Sequence, residues 1–445
     1  MMGDVTAEAT DLLQSLIRNQ CVNDGSVASG EEIRSVDLLA QYLGSTGLDL
    51  ERYEPQEGRQ SVVARIEGSD PDAPSLLLMG HLDVVPVNPD GWSRDPFGGE
   101  LVDGFVWGRG AVDMLNLTAT QAVAFRRLAE SGFRPKGTLI YLGVADEEAL
   151  GTWGAKWLVE HERDAVYADY VLTESGGFQM PGGDGRPRLP VLTEEKGTYW
   201  SKVVVHGTPG HGSAPLRTDN ALVTAAEVVR RIAAFRPESR IHETWRRFVE
   251  GMAYPPEVAE PLLDSARLDE FLEGLPTAMA RQIYSCTHTT FAPTVAHGGT
   301  KTNVIPDRVE LDIDVRTLPG VEGADARALL EEAIGDDLLD KVDITSNDDP
   351  ATASPVDTPL WDVLERVASK LVPDSALVPF VMTGGTDNRF FRRAGSVGYG
   401  FGLFSRRLTF EQYGTMFHGN DERVDQESLE LSTQMFEAVA RELLT

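Results

Sequence analysis

The sequence predicts an α/β fold, a mostly parallel sheet with helices on both faces, into which a second, α+β unit is inserted. Three observations predict it. Apolar strand-like runs alternate with helical spacing up to about residue 177, and the same alternation resumes after residue 356. Between them the strands change character: 197–206 (GTYWSKVVVH) and 309–316 (VELDIDVR) alternate apolar with polar residues, as half-exposed antiparallel strands do. The segment SNDDPATASP (346–355) then reads as a linker leading back. The expected division is one unit of residues 1–195 and 351–445, and an inserted unit of residues 196–350.

Element by element, 7–19 and 31–46 carry helical apolar spacing on either side of a Gly/Ser/Asn loop. SVVARIEG (61–68) alternates like a strand, and SLLLMG (75–80) is a continuous apolar run of the kind that forms a buried strand. Residues 87–112, rich in Gly, Pro and Asp, read as a long irregular loop with a small hairpin; irregular loops of that length inside a compact domain are usually functional. A helix follows over 114–132. TLIYLGVADEEALG (138–151) is a strand running into acids and then a helix to about Glu162, and YVLTESGG (170–177) is a strand ending in an acid. The inserted unit reads as a helix at 219–235, an acidic helical insert at 239–283, a strand near 289–297, a helix at 324–335 and a strand at 341–346. The remainder, 356–445, reads helix, strand, Gly-rich loop, helix, strand, helix.

Composition narrows the function. A formal charge of −30 over 445 residues argues against nucleic acid and against anionic membrane surfaces as partners. No apolar stretch is long enough to span a bilayer, and MMGDVTAEAT lacks the charged and apolar regions of a signal peptide. With Cys21 and Cys286 as the only cysteines, a disulfide framework and a four-thiolate zinc site are both excluded, and a reducing cytoplasm is the expected location.

The chemistry gathers where strands end. His81 and Asp83 follow the 75–80 run, at the carboxyl end of a strand, where open α/β sheets collect their ligands. A neutral imidazole there can bind a metal, with Asp83 behind it to fix the tautomer. Asp113 in GRGAVDM precedes a helix, Glu147 and Glu148 follow TLIYLGVAD, Glu174 follows YVLT, and His418 lies in MFHGNDERV. Singly, these could be an N-cap, first-turn acids, a surface carboxylate and a loop histidine. Together, carboxylates converging on one crevice repel each other unless a cation sits among them. Two imidazoles and three carboxylates suit a pair of divalent ions sharing an Asp, zinc by default with cobalt or manganese as substitutes. Of Glu147 and Glu148, one can bind metal while the other stays free as a base.

The ordered set GHLDVVP, GRGAVDM, ADEE, TES and the late His418 resembles the zinc amidohydrolase and exopeptidase family of acetylornithine deacetylase, succinyl-diaminopimelate desuccinylase, aminoacylase, carnosine dipeptidase and glutamate carboxypeptidase. The resemblance spans essentially the whole chain, inserted lid included. It implies a zinc-peptidase-like catalytic domain with a lid/dimerisation domain, and two Zn2+ per subunit. His81 and Glu174 would hold one ion, Glu148 and His418 the other, with Asp113 bridging, Asp83 orienting His81 and Glu147 acting as general base. In HGTPGHGSAP, His211 matches a histidine that reaches into a partner subunit's site. Asn303 in KTNVIPD, Arg316 in LDIDVR, and Gly384, Gly385 and Thr386 in GGTDNRFF match substrate-contact positions. Leu115 departs from the family, which often has a polar residue after the Asp-Met pair. His161, His206 and His297 belong to no motif and read as structural.

The implied activity is hydrolysis of the amide bond of dipeptides, C-terminal residues or N-acyl amino acids, by a homodimer paired through the lid. Two rivals stand beside it. A metal-stabilised binding protein without catalysis predicts a decayed base or ligand, and the sequence shows none. A two-metal phosphoesterase would need phosphate clamps, and none is evident beyond Arg316.

Overall fold

The structure, a computed structural model, describes residues 4–445. Its larger sheet runs in the order Leu50–Gln56, Arg59–Ile66, Leu139–Val144, Leu76–His81, Tyr170–Thr173, Val397–Gly400, Pro187–Glu195 and Thr352–Ala353, with Ala376–Met382 and Met180–Pro181 also pairing Pro187–Glu195. The centre is parallel: Leu76–His81 pairs in parallel with Leu139–Val144 and with Tyr170–Thr173, which pairs in parallel with Val397–Gly400. Antiparallel pairs occupy the margins. Leu76–His81 and Leu139–Val144 are buried at every position. Burial on both faces is why these strands read as unbroken apolar runs.

The helix Leu115–Glu130 crosses the end of the His81 strand at close range and is buried from Leu115 to Phe125. The approach requires Gly80, because a Cβ there would lie 2.4 Å from Thr118 Oγ1 and 2.9 Å from Thr118 Cα. Thr118 Oγ1 donates to the His81 carbonyl at 2.8 Å, tying the helix to the strand end that carries the histidine. The predicted hairpin in the 87–112 loop is Glu100–Val102 with Phe105–Trp107.

The second sheet is antiparallel and lies wholly within 197–346. Its order is Gly197–Thr198, Arg308–Thr317, Ser201–His206, Val342–Ser346, with Thr290–Gly298 on the Arg308–Thr317 strand. Along Arg308–Thr317 buried residues alternate with less buried ones. The inward set (Val309, Leu311, Ile313, Val315) packs with Val228 and Ile232 of helix Ala221–Ala234 and Leu330 of helix Gly323–Ile334. The helices between Glu243 and Thr287 pack elsewhere: Trp245, Phe248 and Cys286 join Leu192, Val378 and Phe380 of the larger sheet in one apolar cluster. The stretch 196–350 therefore packs against both sheets, which its helical periodicity alone does not reveal.

Candidate metal centre and active site

Three neighbouring strands of the larger sheet deliver acids and a histidine at their carboxyl ends. His81 ends the middle strand, Glu147 and Glu148 follow Leu139–Val144, and Glu174 follows Tyr170–Thr173. Asp146 at φ 70° and Ser175 at φ 67° turn the backbone sharply at these ends. Asp113 comes from the loop before the Leu115 helix, across a cis Asp113–Met114 peptide, and His418, at φ 55°, from the loop after helix Phe410–Met416.

The ligand atoms form two groups that share Asp113. His81, Asp113 and Glu174 offer atoms within 4.8 Å of one another, and so do Asp113, Glu148 and His418. Asp113 divides its oxygens: Oδ1 lies 3.2 Å from His81 Nε2 and Oδ2 lies 3.4 Å from His418 Nε2. Glu148 Oε2 stands 3.3 Å from His418 Nε2. The other Glu148 oxygen is buried with no hydrogen-bond partner among the described residues. An orphaned carboxylate oxygen within a mixed imidazole–carboxylate donor set fits a divalent cation of the zinc, cobalt or manganese type.

His81 is held in the tautomer a ligand needs. Its Nδ1 lies 2.9 Å from the Asp83 carbonyl oxygen, to which it donates, so that Nε2, 3.2 Å from Asp113, is the ring nitrogen free to meet a metal once its proton is displaced. The contact to His81 is thus made by the Asp83 main chain, the nearer carboxylate oxygen of Asp83 lying 3.7 Å from the ring. That carboxylate has other work. It accepts from the amides of Glu147 at 3.2 Å and Glu148 at 3.1 Å, and from Asn23 Nδ2 at 2.8 Å. It fixes the turn that presents both glutamates.

The electrostatics express the crowding. Burial raises the Glu147, Glu174 and Glu148 carboxyls, and neighbouring acids add to it: Glu174 acts on Glu147, and Asp113 acts on the other two. Burial works against a charged His81, but Asp113, Glu174 and Glu147 outweigh it and hold the imidazole well above its usual range. Hydrogen bonds to Asp113 and Glu148 push His418 up to about 10. Burial disfavours the charged Asp113, yet the two imidazoles hold it well below the carboxylate range. A cation needs neutral imidazoles and bare carboxylates, so it must displace these protons. Lowering the pH favours the protonated, cation-free site. Zinc or cobalt binding is therefore expected to weaken from about pH 8 to about pH 6, roughly tenfold per unit for each proton displaced. Calorimetric titration in buffers of different ionisation enthalpy counts those protons, and an affinity flat across this range would contradict the assignment.

The remaining predicted residues lie on the second sheet and on the 384–386 loop. His211 and Asn303 come together on a two-stranded ribbon, where His211 pairs Val304 and the Gly212 amide donates to the Asn303 carbonyl at 2.8 Å. Ser213 N donates to His211 Nδ1 at 3.1 Å, so the proton sits on Nε2. Arg316 donates from Nε to Asp314 at 2.8 Å and from Nη1 to Thr198 at 3.1 Å, and stacks over Trp200. The Thr386 amide is taken by Glu195 Oε2 at 2.5 Å. No hydrogen bond or ion pair among the described residues joins His211, Asn303 or Arg316 to the two ligand groups. His161 stacks on Trp157, His206 pairs Asp343 and His297 sits in strand register with Glu310, all outside the cluster.

Two supports escaped the sequence reading. Arg389 donates to the carbonyls of Thr386 and Leu150, bracing the end of the Glu147 turn, and pairs Asp349 at 3.1 Å. Behind Asp83, Asn23, Asp146, Glu32 and Arg59 form a buried network, with Arg59 Nη1 2.7 Å from Glu32. Neither set carries a local pattern that periodicity or motif spacing could flag.

Strand ends that supply His81, Glu148 and Glu174, with loops that bring Asp113 and His418 to them and Glu147 beside them, give the donor set of a metallopeptidase-type hydrolase. The pattern of Peptidase family M20/M25/M40 matches residues 77–442, and the chain belongs to that family. It is a hydrolase acting on peptide or amide bonds. Human aminoacylase-1 is 27% identical over 403 residues, covering 88% of this chain and 87% of its own length. The N-fatty-acyl-amino acid synthase/hydrolase PM20D1 of Xenopus tropicalis is 28% identical over 391 residues, 85% of this chain and 74% of that one. Among solved structures, the M20 family metallo-carboxypeptidase Sso-CP2 of Sulfolobus solfataricus superposes with a TM-score of 0.74 at 16% identity, covering 99% of both chains. Human carnosine dipeptidase 1 gives 0.71 at 17% identity, over 99% of this chain and 96% of that one. These two share the fold.

Proposed function

We propose that the chain is a two-metal amidohydrolase acting on N-acyl amino acids or short peptides with a free carboxylate. The observation that carries this reading is the division of Asp113, one oxygen toward each imidazole, which makes two ligand groups from five residues. Bound there, a pair of zinc ions, with cobalt or manganese as substitutes, would polarise the scissile carbonyl and lower the pKa of water. Glu147 would take a proton from the attacking water and return it to the leaving amine. Its carboxylate accepts no hydrogen bond among the described residues, and its charged neighbours are Glu174, His81, Asp387 and Glu148. His211 offers Nε2–H to the developing oxyanion, with Asn303 beside it. Arg316 and the Gly384–Thr386 loop hold the free carboxylate.

Residues 196–350 serve in this reading as a lid through which two subunits pair, so that His211 and Asn303 reach the partner's site. Leu216, in the loop before helix Ala221–Ala234, and Leu222 and Val223, in its first turn, are exposed and supply apolar surface for that pairing. Both cysteines are free and buried, which suits a cytoplasmic protein, and no helix among the described residues is long and apolar enough to cross a membrane.

The test is amine release from paired substrates in the presence of zinc or cobalt: N-acyl amino acids and dipeptides, each with the carboxylate free or amidated. The expected result is turnover of free acids, with kcat/KM lower by about 100-fold or more for the amides. Silence across the whole panel would favour the metal-stabilised binding protein, and equal rates would remove Arg316 from its role.

A further inference from the structure

We infer that Glu422 is a positioning residue that locks the loop of Asp113 to the segment of His418, so that the two metal ligands are set by one buried carboxylate. The inference rests on the two-metal reading above. Glu422 is fully buried, four residues after His418 in the chain and more than three hundred after Asp113. Its side chain collects four donors from one short loop. Oε1 accepts from the amides of Val112 at 2.6 Å and Asp113 at 2.9 Å; Oε2 accepts from the Gly110 amide at 3.0 Å and from Arg109 Nη1 at 2.9 Å. The Glu422 carbonyl accepts from the Gly108 amide at 2.9 Å, and the next residue, Arg423, pairs Trp107 in strand register. The five residues from Gly108 to Asp113 that donate to Glu422 thus have their backbone direction set by a group that touches no reacting atom.

The consequence falls unequally on the two ligand groups. Asp113 belongs to both, but His418 belongs only to the one with Glu148. Loosening the clamp moves Asp113 relative to His418, so the Asp113–Glu148–His418 group loses two aligned ligands and the His81–Asp113–Glu174 group loses one. Loss of an acid that merely stabilised the fold would lower the melting temperature without this asymmetry. Glu422→Gln keeps the shape but turns an NH2 group toward two of the four donors.

The experiment is a cobalt titration of purified wild type and E422Q, followed by the visible spectrum and by competition with a chromogenic chelator, with thermal melting of each cation-free protein alongside. Wild type is expected to bind two cations. E422Q is expected to bind the second cation roughly 10–100-fold more weakly, with the first much less affected and with activity restored by excess cobalt at unchanged KM. If E422Q does not fold, Arg109→Lys loosens the same clamp from outside, with an expected loss of about three- to tenfold in the second affinity. Native affinity for both cations in the folded variant overturns the inference, and so does a lowered melting temperature with both affinities intact. Wild type binding fewer than two cations overturns the two-metal reading itself, and the clamp's role with it.

Discussion

Glu147→Gln is expected to keep both cations and lose nearly all turnover. The substitution preserves the shape of the side chain, and the carboxylate accepts no hydrogen bond among the described residues, so no packing or ligation changes. What disappears is a group able to carry a proton from the attacking water to the leaving amine. Loss of a positioned general base costs about 10²–10⁴-fold, and because Glu147 serves both transfers the upper part of that range applies, equivalent to roughly 5 kcal/mol of transition-state stabilisation. KM is expected to stay within about threefold, since the contacts proposed for the substrate's carboxylate, Arg316 and the 384–386 loop, do not include Glu147. Steady-state kinetics with metal analysis of the same sample makes the measurement. Wild-type turnover would move the base to another group, and of the acids that act on Glu147, namely Glu174, Asp387 and Glu148, Asp387 is the one outside the two ligand groups. Burial pushes Asp387 up to about 7, and both its oxygens lack partners among the described residues. Glu147 is the better base because Asp83 anchors its backbone amide at 3.2 Å, directly beside the ligand Glu148.

Which residues the sequence disclosed follows from the range of their interactions. His81, Glu147, Glu148 and Glu174 each stand at the end of a strand that is legible as an apolar run, and parallel strands bring such ends to one edge. Adjacency along the chain was enough to nominate them. Glu422 was not nominated, because Asp-Glu-Arg in a polar loop looks like solvated surface and its four donors lie over three hundred residues away. Pro187–Glu195 was likewise missed. Prolines at 187 and 190 and a Glu-Glu ending argue against an interior strand, yet it is buried throughout and pairs in parallel with Ala376–Met382. The Pro190 carbonyl still accepts from Gly177, so the ring costs the sheet a donor and not an acceptor. Leu50–Gln56 escaped for the opposite reason. It is an outer strand, partly exposed along its length, and LERYEPQ has too few apolar residues for a period of two to stand out.

Asp113→Ala is expected to do what no other single substitution does, namely remove a ligand from both groups at once. His418→Ala leaves His81, Asp113 and Glu174 intact, so that variant should still bind one cation. Asp113→Ala leaves only pairs, His81 with Glu174 and Glu148 with His418, and two donors hold a divalent ion far less tightly than three. The expected outcome is at most one weakly bound cation and activity lower by about 10⁴-fold or more, the combined cost of a lost metal and a displaced water. Stability should report the same loss independently. A ligand at about 1,000 times its Kd stabilises the folded state by about 4 kcal/mol, so wild type should melt at a higher temperature with zinc than with a chelator. In Asp113→Ala that increment should nearly vanish, and in His418→Ala roughly half should remain. Two cations bound to Asp113→Ala at native affinity would mean that its carboxylate, poised between two imidazoles at 3.2 and 3.4 Å, holds protons and not metal.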